Sequence, residues 1–309
     1  MLDAPQLDFR VFDLRLLEWY RNDPHYRYEV DDIQGVIERV RPVSSGTSIW
    51  NDKLEFVEFG FAYDESLNRG IAIFLRYLHD KSLDEQRLLA QHQVSGNFDL
   101  HPDYHRSNIL GDFPDRISIY DAFLEERLHI NEMSGLIGRK PFYRTQTKAY
   151  DRPMGFGILI RPTTKEYHDF ALLVDKLLND DIDKEFFKDD VPKNEQVTKS
   201  DGSAMAIPIG TITMLQNWLA KKFRTADPND VPDMLMKMRS IRKERQSPAR
   251  KLEDNSFDQL LLKRQREIIV SAFSVVRTFR MILENHPKVR NYAVSRVPEW
   301  LRDVKVWEI

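Results

Sequence analysis

Apolar and polar positions alternate with a period of two over much of the first eighty residues, and the period changes toward the C-terminus. Tyr26, Tyr28 and Val30 alternate with polar neighbours. Leu54 and Phe56, then Phe59, Phe61 and Tyr63, keep a similar pattern, with Val57 breaking the phase; Ile71, Ile73 and Leu75 resume it after the turn-like stretch DESLNRG. The pattern predicts strands, with a hairpin over 54–78 and a bulge at Gly60. Ser82-Leu-Asp-Glu85 has capping-box spacing and opens a short predicted helix over 83–94. The polar, glycine- and proline-containing stretch 95–117 reads as a loop. Ser118 then caps an amphipathic helix carrying Ile119, Phe123, Leu124, Leu128, Ile130 and Met133.

Residues 154–161 (MGFGILIR) read as a buried strand ended by Pro162, and Thr163-x-x-Glu166 starts a helix over 165–179. Residues 188–209 combine charge, two prolines and Gly202, which marks a linker. Beyond it three helices are expected, at 211–224, 231–246 and 256–285. The expected fold class is α+β: an N-terminal mixed region with antiparallel strands over 1–195, serving as a sensor or interaction domain, then an all-helical bundle over 196–309.

Composition narrows the chemistry. The chain has 309 residues, 41% of them hydrophobic, enough for a packed core in two domains. It contains no cysteine, which excludes disulfides, thiolate metal sites and a cysteine nucleophile. No apolar run has the length of a membrane span and the start lacks a signal-peptide pattern, so the expectation is a cytoplasmic protein without membrane contact. Phosphate-binding glycine loops, Gly-x-Ser-x-Gly and His-Glu-x-x-His are all missing, and no cofactor is expected.

Net charge is −3, so any polyanion site must be local. Residues 175–201 carry nine acidic and five basic side chains, whereas 237–251 carry seven basic ones and a single acid, Glu244. Two clusters hold candidate chemistry. In His101-Pro-Asp103-Tyr-His105, an extended backbone would set two imidazoles and a carboxylate on one face, as a metal-dependent hydrolase requires; the other reading is a polar loop. In Arg239-Ser-Ile-Arg242-Lys243-Glu-Arg245-Gln-Ser-Pro-Ala-Arg250-Lys251, guanidinium forks gathered at a helix end match phosphate oxygens. The same stretch also reads as a solvated helix end, or as a basic patch packed against 175–201 in a non-enzymatic adaptor.

The order helix, RQSPAR, then the long apolar-faced helix FDQLLLKRQREIIVSAFSVVRTFRMIL resembles the HEPN superfamily over the last hundred residues. These are small helical bundles, many of them metal-independent ribonucleases of bacterial toxin–antitoxin and antiviral systems. The resemblance implies RNA as partner, a dimer, and an arginine followed four to six residues later by histidine. Arg245 matches that arginine, and Arg250 stands where the histidine is expected. The implied site is Arg245 and Arg250 in the catalytic positions, with Arg239, Arg242, Lys243 and Lys251 as RNA contacts. Arginine stays protonated near neutral pH and cannot act as a general base, so a domain of this kind would hold RNA with impaired cleavage.

Overall fold

A computed structural model describes residues 5–39, 56–79, 81–113, 116–146, 151–188, 190–198, 204–224, 227–246 and 254–307. The chain divides into two compact units. The first comprises residues 1–114, 157–163 and 256–263; the second comprises 115–156, 164–255 and 264–309. The class is α+β, as the change of period implies. The boundary between units differs from the expected one, because residue 195 falls inside a strand of the second unit.

In the first unit, β1 (Phe9–Phe12) leads through α1 (Arg15–Asn22) to β2 (Tyr26–Val30), β3 (Gln34–Arg39), β4 (Phe56–Asp64) and β5 (Arg69–Phe74). The strands form an antiparallel sheet of order β1-β5-β4-β3-β2. Helices α2 (Leu75–Leu78) and α3 (Leu83–His92) follow, and Ser82 and Glu85 form the capping box that their spacing predicts. The 95–117 stretch is more ordered than a loop: β6 (Phe98–Leu100) pairs with β4, and α4 (Pro102–His105) continues as one π-helical turn over Arg106–Leu110.

Two details of β4 revise the sequence reading. Val57, Phe59 and Phe61 are all buried and share one parity, so Val57 keeps the core phase. Gly60 sits in regular register between Gln34 and Ala72, without a bulge. It is glycine for a packing reason: a Cβ there would overlap the Tyr104 ring. The expected strand at 154–161 does not form. Within the first unit the Leu159 carbonyl accepts from Arg69 Nη1 at 3.2 Å, and Arg161 Nε pairs with Glu18 at 2.5 Å, so side chains hold this segment in place of a ladder.

The second unit begins with β7 (Ile117–Ser118) and α5 (Ile119–Leu136), which Ser118 caps as expected by accepting from the Tyr120 amide. Next come α6 (Thr164–Asp175), a π-helical turn over Lys176–Asp180, and a 3-10 turn over Lys184–Phe187. Where a linker is expected, β8 (Asn194–Thr198) and β9 (Ala204–Pro208) make an antiparallel hairpin. Helices α7 (Thr211–Lys222), α8 (Asp230–Gln246) and α9 (Leu260–Glu284) match the three helices expected beyond 209. The chain closes with α10 (Arg290–Arg296), α11 (Glu299–Arg302) and β10 (Val306–Trp307), which pairs in parallel with β7. Among the described residues no helix is long and apolar enough to cross a membrane.

Buried ion pairs tie these helices. Arg280 on α9 donates to Glu126 on α5 and to Glu284, and burial pushes the Glu126 carboxyl up against the pull of Arg280. Asp190 has the opposite shift. Hydrogen bonds from Lys222 and then Arg139 hold its carboxyl at about 2. A depressed folded value stabilises the fold above the unfolded value of roughly 4, and that contribution is lost as pH falls toward 2. The Asp190→Asn variant should therefore be less stable than wild type at pH 5, with the gap closing toward pH 2 in denaturant titrations. For packing, Gly60→Ala should lower stability by roughly 1–3 kcal/mol in the same assay, the usual range for overpacking a core.

Candidate functional site

The arginines of α8 take their directions from the helical period. Met234, Leu235, Met238 and Ile241 form its buried stripe. Arg242 and Arg245 lie four and seven residues beyond Met238, which carries them along the edge of that stripe toward α6 and the turn after it. There they meet carboxylates. Arg245 Nη1 donates to Asp175 Oδ2 at 2.8 Å and also to Asp180, while Arg242 Nη2 donates to Asp180 Oδ1 at 2.7 Å. Arg242 Nε lies 3.6 Å from Asp175 Oδ1.

Asp175 is fully buried and Asn179 Nδ2 also donates to it, at 2.7 Å. A carboxylate removed from water in this way requires cationic partners. The contact is not sealed on the other side: the Arg245 side chain is 34% exposed and that of Asp180 41%. Hydrogen bonds to Asp175 and then Asp180 raise the Arg245 guanidinium above its ordinary value, so it stays charged. Two arginines and two aspartates cancel, and this quartet adds no net charge.

The remaining predicted residues scatter. Arg239 is exposed and donates to Gln216 Oε1 at 2.6 Å. Lys243 is exposed. Arg250 and Lys251 lie outside the described residues. The opposite edge of α8 faces α9 across a groove of about 400 Å3. Lys237 Nζ donates to Ser274 Oγ there at 2.8 Å, and Glu244 accepts from Tyr167 Oη at 2.7 Å and from Arg264. Burial by itself would raise the Glu244 carboxyl, but those two donors hold it below its ordinary value. Arg264 also lies over the Tyr167 ring, 4.5 Å from its centroid.

The metal reading of His101, Asp103 and His105 fails on backbone geometry. It needs an extended segment, but Pro102–His105 is helical, where successive residues turn by about 100°. His101 is the N-cap and accepts from the Asp103 amide at 3.2 Å; His105 is exposed. Among the described residues no group of three or more histidines and carboxylates is placed to hold a metal ion.

Sequence reasoning found the arginines and marked 175–201 as a potential partner for them. It did not single out Asp175 and Asp180, which the acid-rich composition hid among other carboxylates. No protein-family model matches this chain, and no curated protein or solved structure does.

The quartet predicts a coupled pair. Arg245→Ala should cost roughly 1–2 kcal/mol, less than a sealed charge pair because a third of the side chain meets solvent. In a double-mutant cycle with Asp180→Ala, the two effects should fall short of additive.

Proposed function

We propose that the helical unit is a degenerate HEPN-like module of a bacterial defence- or toxin-type protein. It grips an RNA backbone beside the C-terminal end of α8 and cleaves it poorly or not at all. The observation that carries this reading is the state of Arg245. A buried carboxylate orients its guanidinium, yet a third of the side chain stays open, and exposed Lys243 lies two residues away. A guanidinium held in this way suits bidentate contact with a phosphate. The exposed carboxylate of Asp180 is then the group a phosphate displaces. Arg239, Lys243, Arg250 and Lys251 supply the net positive charge, because the quartet supplies none. The chain would work in the cytoplasm, as a homodimer or with a protein partner, and the sheet unit would serve as the sensor or interaction part.

The missing histidine limits the chemistry. Arginine can neutralise a phosphate but cannot accept a proton from a ribose 2′-hydroxyl near neutral pH. Arg250→His should therefore introduce metal-independent cleavage of single-stranded RNA, assayed in the presence of a chelator.

A second reading has its own support. Charge cancellation among Arg242, Arg245, Asp175 and Asp180 is what a non-enzymatic adaptor needs when a basic segment serves to pin α8 to α6. RNA titrations over a range of salt separate the two. The RNA reading expects Asp180→Asn to tighten binding by about tenfold and to steepen the salt dependence by about one phosphate contact, and Arg245→Ala to weaken binding. The adaptor reading expects no RNA affinity in any variant, with stability alone responding.

A further inference from the structure

β8 and β9 pair with each other and with no other described strand. Glu195, Met205 and Ile207 share one face of this hairpin; Asn194, Gln196, Thr198, Ala204, Ala206 and Pro208 share the other. Every described side chain on the two strands is exposed, Met205 by 47% and Ile207 by 42%, so neither face packs on a core. The base is anchored. The Ile209 amide donates to the Lys193 carbonyl at 2.9 Å, Lys184 Nζ donates to the Ile209 carbonyl at 3.2 Å, and Lys193 Nζ pairs with Glu185 at 2.5 Å. An isolated two-stranded hairpin is marginal in water, and a further strand or a packed face is what completes one.

The bond between Ile209 and Lys193 sets the direction of the backbone groups along β9. In an antiparallel ladder bonded pairs recur at every second residue, so Met205 and Ile207 turn their N–H and C=O groups toward β8. Ala204 and Ala206 turn theirs to the open edge, where they have no hydrogen-bond partner among the described residues. Pro208 offers that edge a carbonyl alone. Exposed edges are normally blunted by a charge, a bulge or a proline inside the strand. β9 reads Ala-Met-Ala-Ile before its terminal Pro208, with no charged side chain and an unbroken register.

We infer that β9 is a self-association edge, which pairs antiparallel with β9 of a second copy of this chain. A two-fold axis through Ala206 satisfies the open groups. The two Ala206 residues exchange N–H···O=C bonds, and each Ala204 amide donates to the opposing Pro208 carbonyl. The missing Pro208 amide ends the ladder there. The same register sets Met205 opposite Ile207 on both sides of the axis, at non-hydrogen-bonded positions where side chains approach most closely. Met205 and Ile207 of the two copies then cover one another. No like charges meet, because both Glu195 residues stand on the outer strands of the joined sheet. An unrelated extended peptide would gain similar backbone bonds, but the palindromic match of Met205 with Ile207 and of Ala204 with Pro208 selects a second copy. The interface does not depend on how α8 meets RNA, so its failure leaves that reading untouched.

Sedimentation velocity of the whole protein, from roughly 1 to 200 µM, should show a monomer–dimer equilibrium, since one strand pair buries less than the roughly 1,200 Å2 of a standard interface. Ala206→Pro removes the outward amide without touching a bond to β8, and should raise the dissociation constant by about tenfold. Met205→Lys, at an exposed position, should do the same by placing a charge on the edge. Gln196→Pro, the equivalent change on the outer edge of β8, should leave dimerisation unchanged, with circular dichroism confirming that each variant keeps its helices. A protein that stays monomeric throughout the range overturns the inference. So does a dimer of unchanged affinity in Met205→Lys or in a well-folded Ala206→Pro, or one that a well-folded Gln196→Pro dissolves.

Discussion

A carboxylate taken out of water has to be met by a cation, and that requirement organises the helical unit. Asp175 and Glu126 are both buried completely, one on α6 and one on α5. Arg245 and Arg242 reach the first from α8, and Arg280 reaches the second from α9. Arg127, itself fully buried, closes a third tie by donating to Asp181 at 2.5 Å. Hydrophobic burial is non-directional and would tolerate some rotation of each helix. These pairs do not, because a shifted helix would leave a charge unpaired in the interior.

The same constraint shapes the functional question. An arginine that neutralises an internal aspartate is already occupied, whereas the proposed RNA reading needs one rigidly held but open to solvent. Arg245 pairs with buried Asp175 and keeps a third of its side chain exposed. Its fixed orientation removes part of the entropy cost of forming a bidentate contact, while Asp180 competes with any incoming phosphate. On the proposed RNA reading, local electrostatics, more than the number of basic residues between 237 and 251, would therefore govern how this end of α8 meets a polyanion.

In the sheet unit the corresponding constraint is steric. Gly60 lets an aromatic ring lie directly on the strand, and this brings the α4 segment down onto the sheet. Removing a Cβ from one strand position thereby fixes where a later helix packs.

Local order was legible in the sequence because local interactions produce it. The Ser82–Glu85 box, the Ser118 cap, the β2 alternation and the apolar stripes of α7, α8 and α9 all depend on residues within a turn or two of one another. Residues 154–161 had strand-like composition but found no ladder, since a strand exists only where a neighbour offers an edge, and only the tertiary structure supplies one. The linker-like residues around β8 and β9 show the converse: the two strands pair with each other. His101 and His105 diverge because α4 replaced the extended backbone their spacing required. Sequence alone set the class of fold, the three long C-terminal helices α7, α8 and α9, and the position of the basic stretch. The fold alone decided that Arg245 meets Asp175 and Asp180, seventy and sixty-five residues away, because long-range charge pairing depends on where packed helices bring their faces together.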